Sequence, residues 1–298
     1  MTITNSTVDP ARTQPALQSI EIAFGTSALH PAVLAALQAL GLDVHDVAEA
    51  NYLTRSAAMR TDNPAVVWSA FFNPHPDTFY RLIPSSWEIT TFDAVLAAQA
   101  DAIDKPFAEA VASMEPGELH ELADLCRIAC VAANANAEGR PLFAGLASLP
   151  FPTEDHMMVW HAARLLREHR GDGHIAALVV EGLGRVDALV VHAAMLPGFA
   201  DGLRRSRRWS MDEWNESMVS LRKRGWLTDD DEPTFTDEGR ARRQWIEDRT
   251  NELAAVAFDD IGNDGVDRFI ELGTRYTAAL NAAGLGMAAL GSAIPMGD

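Results

Sequence analysis

The chain has 298 residues, 48% hydrophobic and 22% charged, enough apolar side chain for one large or two medium cores. Its formal net charge of −18 repels phosphate backbones and argues against nonspecific nucleic-acid binding. There is no basic, apolar leader and no apolar run of about 18 residues, so a cytoplasmic setting without a membrane partner is expected.

Taken in order, residues 1–15 (MTITNSTVDPARTQP) are polar, carry two prolines and read as a disordered lead. An N-terminal helical domain is expected over residues 16–145. It begins with HPAVLAALQALGL from His30 and DVHDVAEANYLTRSAAM. Asn63-Pro64 is a cap followed by a first-turn proline, Pro84 should end a short helix, and Pro106 should break or kink a long one capped at Thr90 or Thr91. Pro116 opens ELHELADLCRIACVAANANA, whose two cysteines, Cys126 and Cys130, share one face as core thiols. Gly139 to Pro152 holds three prolines and two glycines and marks the boundary with a second domain, residues 150–298.

The second domain opens on the densest run of ionisable groups, His156 to Leu178, with four of the nine histidines. Glu154 and Asp155 form an acidic first turn, so a helix is expected from about 154 to 169. Projected at about 100° per residue, His161 and Glu168 fall side by side, with His169 among the apolar positions. Gly171 suits a left-handed helix end and Asp172 the cap of the next helix, making HRGDGH a tight joint. HIAALVVEGL after His174 weakly echoes HPAVLAALQALGL after His30, as two related helical halves would.

Further on, Ser210 and Glu213 make a capping box for MDEWNESMVSLRKRG. Two short β-rich runs, WLT and TFT, flank the acidic turn DDDEP and read as a hairpin, and Thr236 caps a long helix. That order is the order of a winged helix-turn-helix. The chain resembles MarR-type regulators there. With WHAA and LREHRGDGH, FFNPHP, and RGWLT with TDEGRA, it looks like an actinobacterial family of MarR-like helix-turn-helix proteins over roughly residues 25 to 280. The resemblance implies a winged-helix-related fold and little about chemistry. The expected fold is therefore mostly α, in two helical halves, the second containing a winged helix-turn-helix with one short β-hairpin wing.

Three functions stay open. The first is a small, aromatic or hydrophobic organic ligand held in a cleft between the halves by Arg55, His161, Arg164, Glu168, His169 and His174. The second is acid–base or metal chemistry with His161, Glu168 and His169 as candidate catalytic residues, although a purely structural pairing of these groups is equally served by the pattern. The third is DNA regulation through Arg204, Arg205, Arg207 and Arg208. Residues Arg204–Arg249 hold 11 basic and 11 acidic side chains, the one stretch of the chain where DNA contact is thinkable. Against it, the presumed recognition turn carries Asp212, Glu213 and Glu216, and the wing tip is acidic as well. No nucleotide loop, nucleophile elbow or metal-ligand spacing is present, so neither a cofactor nor a metal is implied. The small-residue tail after Ala282 suits packing on a partner, and a homodimer through the C-terminal helices is a further expectation.

Overall fold

In a computed structural model, residues 6–286 are described, and fourteen α-helices form among them. Many start on a side-chain cap, and those at Asn63 and Thr91 are expected from the sequence. His30 Nδ1 accepts the Ala32 N–H and Pro31 follows it, opening α2 (Pro31–Ala39). Asp46, Asn63, His75 and Thr91 do the same for α3 (Val47–Ala57), α4 (Pro64–Phe71), α5 (Pro76–Ile89) and α6 (Phe92–Val111). Each cap satisfies an otherwise orphaned first-turn donor. Pro84, expected to end a helix, lies inside α5, and Pro106, expected to break or kink one, lies inside the unbroken α6.

One apolar core joins α1 (Thr13–Leu29), α2 to α7 (Pro116–Asn134), α8 (Pro141–Ala147), the first half of α9 (Asp155–Val180) and α14 (Gly262–Ala282). α1 lies so close to α14 that a Cβ on Gly273 would stand 2.2 Å from Ser19 Oγ. A second core joins the end of α9 to α10 (Arg185–Ala193), α11 (Ala200–Ser206), α12 (Met211–Lys223) and Ile246 of α13 (Asp237–Ala255), around the wholly buried Trp226. α9 runs through both. The cores therefore do not part at residues 139–152, since α14 returns to pack in the first.

Three expectations need correction. The β-hairpin wing does not form: among the described residues there is no strand, only one antiparallel bridge, Leu227 to Phe235, with Thr228 and Thr236 N–H groups donating to Thr234 and Trp226 carbonyls. Runs of three residues are too short for a ladder, and Arg222 draws the acidic tip back by donating to the Thr228 and Asp230 carbonyls. The joint at HRGDGH does not form either. α9 is one helix through Gly171 and Asp172, so the two echoing segments are unlike: one begins at a helix cap, the other lies in mid-helix. Of the disordered lead, residues 1–5 lie outside the described residues. Ser6 and Thr7 hydrogen-bond the Asp259 carboxylate, Val8 is buried, and α1 already begins at Thr13. Most of the small-residue tail, from 287 on, also lies outside them. No single described helix is long and apolar enough to cross a membrane.

Candidate functional site

Glu168 is the pivot. It sits in the middle of α9, 2% exposed, and its carboxylate is gripped by Arg55 of α3 through Nε–Oε1 at 2.7 Å and Nη2–Oε2 at 2.9 Å. Arg167 Nη1 adds longer contacts at 3.4 and 3.5 Å. Burial works to raise the pKa of Glu168, but the guanidinium charges of Arg55 and Arg167 outweigh it and hold it below the ordinary carboxylate value. Each guanidinium also lies over a ring, Arg55 at 4.4 Å from the Phe71 centroid and Arg167 at 4.2 Å from Phe24.

This cluster forms one wall of a cavity of about 980 Å³. α1 supplies Phe24 and Gly25, α3 supplies Asn51, Tyr52 and Arg55, and the turn after α4 supplies Phe71 to Pro74. From the other half come Arg167, Glu168, Gly171, Asp172, His174 and Leu178 of α9, His192 of α10, and Arg207. The turn is fastened from outside: the Asn73 carbonyl accepts the Trp209 indole N–H at 2.8 Å, and the Arg207 carbonyl accepts the His75 N–H at 2.9 Å. Phe72 is thereby held at φ 69°, a left-handed conformation that costs a bulky residue strain.

Among the described residues, several polar atoms of lining side chains have no partner: the Tyr52 hydroxyl, Asp172 Oδ1 and Arg207 Nε. Asp172 Oδ2 accepts the Phe143 N–H at 3.0 Å, capping α8 from the side of another helix. Burial, with the nearby Glu168 charge adding to it against the Phe143 N–H, pushes the Asp172 carboxyl up to about 7. His174 Nδ1 meets Thr250 Oγ1 at 2.9 Å, and burial, then the charge of Arg243, pushes its pKa down to about 4. His192 is lowered by burial as well.

The other candidates lie elsewhere. His161 and Arg164 line a second cavity. His161 therefore does not meet Glu168, although the two are adjacent in projection, because Glu168 turns to Arg55. Burial, then the Arg164 charge, pushes the His161 pKa down to about 3. His169 lines neither cavity; its ring stands edge-on to Phe143 at 4.9 Å, and burial, then Arg140, brings it to about 3 as well. Both imidazoles stay neutral through the physiological range. A buried Arg140, which sequence reasoning passed over, donates to the carbonyls of His169 in α9, Leu253 in α13, and Asn136 and Glu138 in the segment after α7, and so ties that segment to two helices. Among the described residues no group of three or more His, Cys, Asp or Glu is placed to hold a metal ion.

Of the arginines considered for DNA, Arg204 and Arg205 pair with Asp201, and Arg208 with Asp46 and the buried Glu49. Arg207 lines the larger cavity. α12 turns Trp214, Met218 and Leu221 inward and leaves Asp212, Asn215, Glu216 and Val219 exposed. Sequence reasoning also missed Phe24, Tyr52, Phe72 and Arg167 as lining residues. The FFNPHP motif was the one available signal, and it holds the strained Phe72. No curated protein and no solved structure matches the chain. A family model described as a helix-turn-helix family matches residues 13–287, nearly the whole chain, and the protein belongs to that helix-turn-helix family.

Proposed function

We propose that this helix-turn-helix protein binds a small organic molecule with an aromatic or hydrophobic body in the cavity between its halves, and that it binds DNA weakly or not at all. One observation carries the reading. A cavity of about 980 Å³ has Phe24, Tyr52, Phe71 and Phe72 on its walls and an Arg55–Glu168–Arg167 cluster at one side, within the range of sizes and with the mix of apolar wall and few polar groups that small-molecule sites use. Arg55, Arg167 and Arg207 stand on its walls against the carboxyls of Glu21, Glu168 and Asp172, so a polar or acidic group on the ligand has guanidiniums to meet. A closer kinship with MarR-type regulators, and with an actinobacterial branch of them, rests on Gly225 to Thr228 and on Thr236 to Arg240.

A thermal-shift screen of aromatic acids and their neutral analogues tests it. A ligand at 100 times its dissociation constant should stabilise the protein by about 2.7 kcal/mol. Ala48→Phe, which fills the cavity from α3, should abolish that shift. A screen of such compounds with no shift, or a shift untouched by Ala48→Phe, overturns the reading.

A second reading, acid–base catalysis, is favoured by Asp172, whose carboxyl titrates at about 7 on the cavity wall. If it holds, Asp172→Asn lowers turnover of a bound substrate by about 10²-fold or more with its binding retained.

A further inference from the structure

The second cavity, of about 520 Å³, lies between α6, the segment 149–154 and the first half of α9. One wall carries three polar groups from a single turn of α9: Trp160, His161 and Arg164, each 3% exposed. Among the described residues, Trp160 Nε1, His161 Nε2 and Arg164 Nη2 are all buried without a hydrogen-bond partner. Buried polar atoms are paired in the large majority of cases, so three bare ones from one turn of helix call for a partner. Arg164 is the strongest of them. Among the described residues it forms no ion pair, since Glu168, one turn along, is taken by Arg55 and Arg167. Stacking over the Trp160 ring at 4.3 Å offsets part of the cost of burying its charge and leaves the N–H groups free.

The rest of the cavity sets the class of ligand. Its walls include the apolar Leu96, Pro150 and Met157, so the body of the ligand is apolar. Its rim is acidic. Asp93 is neutralised by Arg60 and Asp104 by His156 when that ring is charged, whereas Asp101 and Glu154 stand exposed and unpaired among the described residues. Such a rim repels a polyanion more than a monoanion. We propose that Trp160, His161 and Arg164 form a second ligand site, separate from the larger cavity, that takes a small monocarboxylate with an apolar body. The Arg164 guanidinium pairs with the carboxylate, and small side-chain turns bring the buried Trp160 indole and the neutral His161 ring onto it as well.

Benzoate is the probe, with benzamide as its uncharged analogue and inorganic phosphate as the polyanion. The full chain is titrated while the Trp160 indole resonance, assigned through Trp160→Phe, is followed by ¹H–¹⁵N spectroscopy. Benzoate should shift that resonance saturably, and benzamide and phosphate should bind about tenfold more weakly or worse. Arg164→Gln should weaken benzoate binding about tenfold or more, while Arg207→Ala, in the larger cavity, leaves it unchanged. If Arg164→Gln fails to fold, the contrast between benzoate and benzamide on the unaltered protein still decides. No response of Trp160 up to about 10 mM benzoate, equal responses to benzoate and benzamide, or loss with Arg207→Ala and not with Arg164→Gln overturns the proposal. Because the readout sits at Trp160, failure of the larger cavity to bind anything leaves this result intact.

Discussion

Glu168 shows how a buried charge is held and what removing it would do. Its carboxylate is shared by Arg55 and Arg167, so Glu168→Gln leaves two guanidiniums facing a neutral amide in a nearly dry wall. Breaking such a buried pair from one side costs about 3–5 kcal/mol, and Arg55→Met in the same chain should recover part of it, as read from urea midpoints. An additive loss in the double variant would show that the pair does not act as a unit. The histidines give the pH dependence. His161 and His169 at about 3 and His174 at about 4 refuse protons that the unfolded chain takes up near 6.5, so their share of stability is lost as pH falls below about 6.5. Asp172, at about 7 against an ordinary 3.8, has the opposite sign: its share is fully present below about 3.8 and lost as pH rises through about 7. Three histidines outweigh one carboxyl at about 1.4 kcal/mol per pH unit each, and the protein should lose about 3 kcal/mol between pH 6.5 and 5. Asp172→Asn should steepen that loss, because it removes the opposing slope. A flat or rising profile over the same interval contradicts these assignments.

Helices announced themselves through their starts. Asn63-Pro64, Thr91, Ser210 with Glu213 and Thr236 are legible because a cap is a local device, fixed by a side chain and an amide two or three residues on, whereas His30 and His75 cap in the same way without being residues expected there. Gly171-Asp172 misled for the same reason: glycine then aspartate is a local stop signal, but here the aspartate serves another helix by accepting from Phe143, and Gly173 lets Leu253 of α13 approach. Tertiary packing overrode the local preference. Gly171→Ala measures which description holds. In mid-helix, with only Glu168 Oε2 near the added methyl at 3.8 Å, the change should stabilise by about 0.5–1 kcal/mol in thermal or urea unfolding. At a left-handed helix end it would destabilise. The hairpin of WLT and TFT fails for a different cause, because TDEGRA opens α13 hard against WLT. A Cβ on Gly239 would stand 2.0 Å from the Trp226 carbonyl oxygen, so the start of α13 presses directly on the segment expected to pair. The candidate site was half legible. Arg55, Glu168 and His174 do line one cavity, whereas His161 and Arg164 line another, since helical projection gives the direction of a side chain and not what stands opposite it.

At the scale of the molecule, charge bears on what a helix-turn-helix family member does. The net charge of −18, the exposed Asp212 and Glu216 on α12, and the pairing of Arg204, Arg205 and Arg208 leave little basic surface for a phosphate backbone. Gel-shift assays at low salt against DNA flanking its own gene should show no discrete complex. Clean, salt-sensitive retardation, weakened by neutralising Arg204 and Arg205, would instead make the protein a DNA-binding regulator. The last consequence comes from α9. Because its first half belongs to one apolar core and its end to the other, neither core can melt while leaving the helix intact for its neighbour. Calorimetry should therefore record a single endotherm whose van't Hoff and calorimetric enthalpies agree, and amides on both sides of Gly171 should exchange with solvent at one common rate limit, that of global opening.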